Sequence, residues 1–78
     1  MYFLKKKQDV YSFNTELKEE VLFKTKKNIT NLAKQIGITN VYLTDVLNGK
    51  RNCSKLVAYI IVKLSDNTKE ISDYFERK

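Results

Sequence analysis

Several residue types are missing or scarce in this sequence. It contains no histidine, one cysteine (Cys53) and two glycines (Gly37 and Gly49). Without histidine, neither a Ser-His nor a Cys-His catalytic pair can be built, and histidine-containing zinc sites are excluded. A lone cysteine cannot form an intrachain disulfide, and two isolated glycines cannot form the loops that hold nucleotide phosphates. We therefore expect a protein that is not an enzyme and that uses no metal, cofactor or small-molecule substrate.

Long hydrophobic runs are also missing. The short apolar stretch 1–4 is followed at once by Lys5, Lys6 and Lys7, so nothing approaches the ~18 residues of a membrane span. We expect a cytoplasmic, nucleoid-associated protein with no membrane contact. Because proline and low-complexity tracts are absent, no linker is marked. The 78 residues predict one domain over 14–78, preceded by an extension over 1–13 that is a candidate dimer contact.

The positive charge is concentrated in the middle of the chain. Residues 1–23 have no net charge and residues 64–78 carry −1, whereas residues 24–63 carry eight cations against Asp45 alone, a net charge of +7. The eight cations are Lys24, Lys26, Lys27, Lys34, Lys50, Arg51, Lys55 and Lys63. Clustered cations attract polyanions, because phosphate contacts release counterions. The alternative is a lysine-rich surface that is simply solvated, so the charge alone favours nucleic acid only weakly.

Helical spacing of apolar residues predicts a mainly α fold with five helices. In chain order, they span Thr15 to about Lys26 with Asn14 as N-cap, Asn28 or Thr30 to Gly37, Thr39 to Asn48, Leu56 to Leu64 with Ser54 as N-cap, and Asn67 or Thr68 through Phe75. The apolar stretch 56–62 is also compatible with a strand, but the four-residue step of its leucines and isoleucine favours a helix. Residues 1–13 are compatible with a β-hairpin pairing 2–4 with 10–13, or with an arm.

The segment 28–51 reads NITNLAKQIGITNVYLTDVLNGKR. It resembles the helix-turn-helix of the lambda-repressor-like regulators, the phage repressor, Cro and xenobiotic-response-element type. Ala33 matches the small residue that lets two helices cross closely, and Gly37 matches the turn glycine. Ile38, Leu43 and Val46 match the small core between the helices. The resemblance continues through NGKR at 48–51 and Ser54, so it covers about residues 14–75 and implies a five-helix lambda-repressor-like fold.

The resemblance also implies how DNA would be bound, with the helix from Thr39 to Asn48 in the major groove. Base-contacting positions carried over from the family are Asn40, Val41, Thr44 and Asp45. Their chemistry suits A·T pairs, since asparagine bonds adenine and valine contacts the thymine methyl. Phosphate-contacting positions are Asn28, Ile29, Thr39, Tyr42, Asn48, Lys50, Arg51 and Asn52, with Lys27 and Lys34 in addition.

Two positions depart from the family pattern. Asp45 places a carboxylate near phosphates, which repel it unless it accepts from cytosine or pairs with a cation. Ile29 stands where family members often have a polar residue. Other assignments have structural alternatives: Asn48 and Gly49 can simply end a helix, Tyr42 can pack over a helix, Lys5 to Lys7 form either a basic arm or a solvated turn, and Cys53 is expected to be structural.

Surplus apolar residues predict a homodimer. The stretch 56–62 is apolar nearly all round, and Tyr2, Phe3, Leu4, Val10, Tyr11 and Phe13 have no obvious place in a five-helix core. A two-fold dimer through the fourth and fifth helices or the N-terminal extension would place two recognition helices about 34 Å apart, on a palindromic A·T-rich operator.

The leading functional hypothesis is a sequence-specific, Cro-like repressor of phage or mobile-element origin that excludes polymerase from its operator. The alternative is a protein-binding module on the same fold, such as an antirepressor or a phage-encoded inhibitor of a host protein. Asp45 and the lack of a cation between Thr39 and Asn48 favour this alternative, whereas the +7 middle segment disfavours it.

Overall fold

The computed structural model of the chain describes residues 10–78. These residues form five α-helices and a three-stranded antiparallel sheet, so the prediction of a mainly α fold is confirmed. The elements in chain order are β1 (Val10–Phe13), a 3-10 turn (Thr15–Leu17), α1 (Lys18–Thr25), α2 (Ile29–Ile36), α3 (Asn40–Leu47), β2 (Cys53–Ser54), α4 (Lys55–Ser65), α5 (Ile71–Tyr74) and β3 (Phe75–Arg77). None of the helices formed by these residues is long and apolar enough to cross a membrane.

Local capping chemistry sets where most helices begin. Each predicted N-cap side chain accepts a backbone N–H from the first turn: Asn14 from Glu16 in the 3-10 turn, Asn28 from Asn31, Thr39 from Tyr42, and Ser54 from Val57. These bonds satisfy donors that have no partner within the helix. The open choice between Asn28 and Thr30 is therefore settled as Asn28.

The apolar stretch 56–62 is helical, as favoured. Within α4, Ala58, Ile61 and Val62 are buried, whereas Leu56 is 67% exposed and Tyr59 50% exposed. The helix therefore has one core face and one solvent face that still carries large apolar side chains.

The sheet joins the N-terminal strand to two distant segments. β1 is the central strand and pairs antiparallel with β2, placing Tyr11 opposite Cys53, and with β3, placing Phe13 opposite Phe75. The first half of the hairpin suggested for 1–13 lies outside the described residues. Its second half is a strand, but the partners observed for that strand are β2 and β3.

The fifth helix begins later than predicted, and it is shorter. The Asp66 carboxylate accepts from both the backbone N–H (3.0 Å) and the hydroxyl (2.6 Å) of Thr68, so residues 66–69 form a turn. Neither Asn67 nor Thr68 is the N-cap; α5 follows Glu70, whose N–H donates to the Asp73 carboxylate at 2.8 Å. Phe75, predicted in this helix, lies in β3.

The core lies between the helices and the sheet. Its largest fully buried side chains are Val21, Leu32, Leu43, Val46, Leu47, Ile61 and Val62. Phe13 is also buried, and its ring meets that of Phe75 edge-on with centroids 5.1 Å apart. The expectation that Phe13 and Tyr11 have no place in the core was wrong, because pairing of β1 with β3 directs Phe13 inward and Tyr11 packs against the same cluster. Tyr2, Phe3 and Leu4 lie outside the described residues.

Candidate functional site

A tight turn connects α2 to α3. Gly37 has φ +93°, the left-handed conformation, and the N–H groups of Gly37 and Ile38 both donate to the carbonyl of Ala33 at 2.8 and 3.0 Å. This pattern ends α2 and redirects the chain. Ala33 is 1% exposed, Leu43 and Val46 are fully buried, and α2 packs directly on α3. The residues singled out for a helical hairpin therefore form one.

The outward side of α3 carries uncharged side chains. Val41 is 71% exposed and Asn40 is exposed, whereas Thr44 and Asp45 are partly buried. The Asn40 Nδ2 group donates to the Thr30 hydroxyl at 2.9 Å, a contact between α2 and α3. This bond holds the Asn40 side chain in one orientation and leaves its amide oxygen and second N–H group for other partners. Thr30 was not among the predicted site residues, and no sequence pattern indicates this contact.

The loop after α3 is anchored to the N-terminal part of the domain. The Asn48 Oδ1 atom accepts a hydrogen bond from Lys18 Nζ at 2.7 Å. Gly49 has φ +80°, and a Cβ atom there would lie 2.9 Å from Thr15 Cγ2. The loop is therefore packed closely against the 3-10 turn, and the ammonium of Lys18 is held beside it. Lys18 is a second site residue that the sequence does not reveal, because it lies 30 positions from Asn48.

An aromatic ring supports the last cation of the loop. The guanidinium carbon of Arg51 lies 5.2 Å from the centroid of the Tyr42 ring, within the range of a cation–π interaction. Tyr42 is partly buried, and this burial raises the pKa of its phenol, so the hydroxyl remains a neutral donor at physiological pH. Tyr42 therefore both packs over α3 and positions Arg51.

The N-terminal ends of α2 and α3 are arranged differently from their loop. Asn28 and Thr39 use their side chains to cap the two helices. The side chain of Ile29 packs against the core, so only its backbone N–H is available to a phosphate. Asn52 is exposed immediately before β2.

The cations of segment 24–63 fall into two groups. Lys24 lies 3.0 Å from Asp66 and 3.5 Å from Glu20, and the hydrogen bond to Asp66 raises its pKa. By contrast, no ion pair within residues 10–78 involves the cations on or beside α2, α3 and the loop, namely Lys26, Lys27, Lys34, Lys50 and Arg51. We call the exposed residues of 27–52, except those of the helix ends facing the core, the α2–α3 surface. Its cations have no carboxylate to neutralise them.

Cys53 is not a nucleophile in this setting. It is 3% exposed on β2, and burial raises the pKa of its thiol to about 11. The thiol stays protonated at physiological pH, and only the thiolate reacts. Its position supports the expected structural role.

Residues 10–78 contain no group of three or more histidine, cysteine or acidic side chains arranged to hold a metal ion. Comparison of the chain with protein-family models, with curated proteins and with solved structures found no match. The functional interpretation therefore depends on the geometry and charge of this chain.

Proposed function

We propose that the protein binds double-stranded DNA through the α2–α3 surface and acts as a Cro-like transcriptional repressor with a lambda-repressor-like domain. The observation that carries this proposal is an uncharged outward side of α3 bordered by cations that have no carboxylate partner. Phosphates on both sides of a major groove are the ligands that such a border attracts, and the groove admits one α-helix. Repression would be steric, because an occupied operator excludes polymerase.

Base recognition is assigned to Asn40, Val41 and Thr44. The amide of Asn40, oriented by Thr30, suits the N6 and N7 atoms of adenine, and exposed Val41 suits the thymine methyl. Asp45 is partly buried and is suited only to accept from cytosine. The expected target is therefore rich in A·T pairs. Positioning falls to Lys27, Lys34, Lys50 and Arg51, with Lys18 beside Asn48 as an added contact.

Binding as a homodimer is part of the proposal. A two-fold pair would place two copies of α3 on successive turns of the major groove, about 34 Å apart, and would select a palindrome. The resemblance of 28–54 to the helix-turn-helix regulators supports this geometry.

The test is selection from a random duplex pool by the full chain at low salt. We expect enrichment of a symmetric, A·T-rich site whose affinity falls steeply as salt increases. Failure to enrich any duplex over a protein-free control would contradict DNA binding, and an asymmetric site would contradict the dimer.

A matched pair of variants tests the assignment of Asn40. Asn40→Ala should relax the base preference at one position in each half-site. Thr30→Ala removes only the bond that orients the amide, so it should weaken the preference without abolishing it. If the two variants select the same sequence as the original chain, Asn40 does not read bases.

A second candidate function is protein binding through the same surface, as in an antirepressor or an inhibitor of a host protein. The exposed apolar Val41 beside the carboxylate of Asp45 favours it, since neither cations nor phosphates explain both. Under this alternative, Lys50→Glu with Arg51→Glu would leave the biological function intact.

A further inference from the structure

A groove of about 470 Å³ lies between β1, α4 and the α5–β3 segment. Its apolar lining is formed by Tyr11, Tyr59, Ile71 and Phe75. Leu56 lies one turn before Tyr59 on α4, so the two exposed side chains share one face of the helix at the edge of the groove. None of the outward residues of α3 lines it, so the groove is separate from the α2–α3 surface.

The charge of the groove is positive. Lys63 Nζ donates to the backbone carbonyls of Lys69 (2.9 Å) and Asn67 (3.4 Å) and lies 5.6 Å from the centroid of the Tyr59 ring. These contacts fix the ammonium in place, but carbonyls carry no net charge and do not neutralise it. Lys55 and Arg77 also line the groove, and among its described lining residues Glu70 bears the single carboxylate.

We propose that this groove binds an acidic segment of a partner protein that carries aromatic or aliphatic side chains. Carboxylates of the segment would pair with Lys55 and Lys63, and its apolar side chains would cover Leu56 and Tyr59. Aromatic anchors at helical spacing beside fixed charges are the usual elements of peptide-binding grooves.

The other occupants fit the groove less well. A small molecule would remain largely exposed, because half of Tyr59 and most of Leu56 are open to solvent and ligand sites normally enclose their ligand. A second copy docked by two-fold symmetry would bring Lys55 and Lys63 toward their own counterparts, and like charges repel. A DNA duplex would satisfy the cations but would leave the leucine and tyrosine without apolar partners.

The first experiment is selection from a random peptide library with the full chain as bait. We expect the enriched peptides to be acidic and to contain at least one aromatic or large aliphatic residue. Enrichment of basic peptides, or no enrichment over a bait-free control, would overturn the proposal.

Variants then locate the bound peptide, with affinity measured by fluorescence anisotropy. Tyr59→Ala and Lys55→Glu should each weaken binding at least ten-fold, while Lys34→Glu, an equal charge change on the α2–α3 surface, should have no effect. Lys55 occupies the first position of α4, where glutamate is well tolerated by the helix dipole, and Tyr59 is half exposed. Circular dichroism should confirm that both variants fold. Binding that is unchanged by Tyr59→Ala would overturn the proposal.

Two further outcomes would reassign the groove and refute the proposal. If Lys55→Glu weakens duplex binding as strongly as Lys50→Glu, the groove belongs to a nucleic-acid interface. If sedimentation shows a dimer that Tyr59→Ala converts to monomer, the occupant is a second copy. Because peptide binding is measured without DNA, it can succeed or fail independently of the proposed function.

Discussion

Lysines in two regions of this molecule have different surroundings. At the junction of α1 with α4, Lys24 contacts Asp66 and Glu20, and Glu20 also accepts a hydrogen bond from the Tyr74 hydroxyl at 3.1 Å. On the α2–α3 surface, Lys50 and Arg51 have no ion-pair partner among the described residues. The first arrangement joins helices, whereas the second leaves charge for an external partner. Counting charge along residues 24–63 does not separate the two.

The largest expected effect comes from reversing charge on the α2–α3 surface. Lys50→Glu combined with Arg51→Glu should weaken duplex binding on the order of 100-fold, because two phosphate attractions become repulsions. The free energy of unfolding should change by no more than about 0.5 kcal/mol, since both residues are exposed. Anisotropy of a labelled duplex and urea titration measure the two quantities.

The matched control for this change is Lys69→Glu combined with Lys78→Glu. These exposed residues lie near α5 and β3, and the net charge changes by the same amount. If the control weakens duplex binding equally, total charge and not the α2–α3 surface governs affinity.

The next effect concerns how the loop of the α2–α3 surface is held. Gly37→Ala should cost about 1–2 kcal/mol, because φ +93° strains a side chain although nothing lies within 4 Å of the new Cβ. Gly49→Ala should cost more, about 2–4 kcal/mol, because its Cβ would also lie 2.9 Å from Thr15 Cγ2. Urea denaturation of each variant provides the comparison.

Thr15→Ser removes the methyl group in question and tests the cause. In that background the cost of Gly49→Ala should fall to the level of Gly37→Ala. An undiminished cost would mean that the loop does not pack on the 3-10 turn as described.

Local features of the fold were predictable from the sequence, because they depend on neighbouring residues. Asn28, Thr39 and Ser54 are recognisable N-caps, and Gly37 is a recognisable helix end, since each acts within one turn. The exposed side of α3, with Asn40 and Val41, follows from the same helical spacing.

The sheet was not predictable in the same way. β2 and β3 contain two and three residues, too few to show alternation, and their pairing with β1 joins Tyr11 to Cys53 and Phe13 to Phe75. Such pairs are set by the tertiary packing. The same reason hides the contacts of Lys18 with Asn48 and of Asn40 with Thr30, and it explains why Phe75 was wrongly placed in a helix.

A pH-dependent effect should be confined to the α1–α4 junction. Hydrogen bonds from Thr68, together with the bond from Lys24, hold the pKa of the Asp66 carboxyl well below its usual range. A lowered folded-state pKa stabilises the fold above about pH 4 and loses this contribution as the pH falls further. The stability difference between the original chain and Asp66→Asn, measured by urea titration, should therefore shrink between pH 7 and pH 2.5. A difference that is constant with pH would contradict this account.

The smallest expected effects come from neutralising one lysine in each region. Lys24→Met should lower Tm slightly and leave duplex affinity unchanged, because the residue loses Asp66 and Glu20 as partners. Lys34→Met should leave Tm unchanged and weaken duplex binding by about two- to five-fold, the effect of one lost phosphate contact. The reverse pattern would mean that the two regions have been assigned incorrectly.

The most direct test of the central claim is a ¹H–¹⁵N NMR titration of the full chain with the selected duplex. The account predicts that amide shifts concentrate at the start of α2, along α3 and in residues 48–52, while the amides of Lys24 and Asp66 stay unperturbed. Shifts centred on the groove between α4 and β3, or no shifts at low salt, would contradict it.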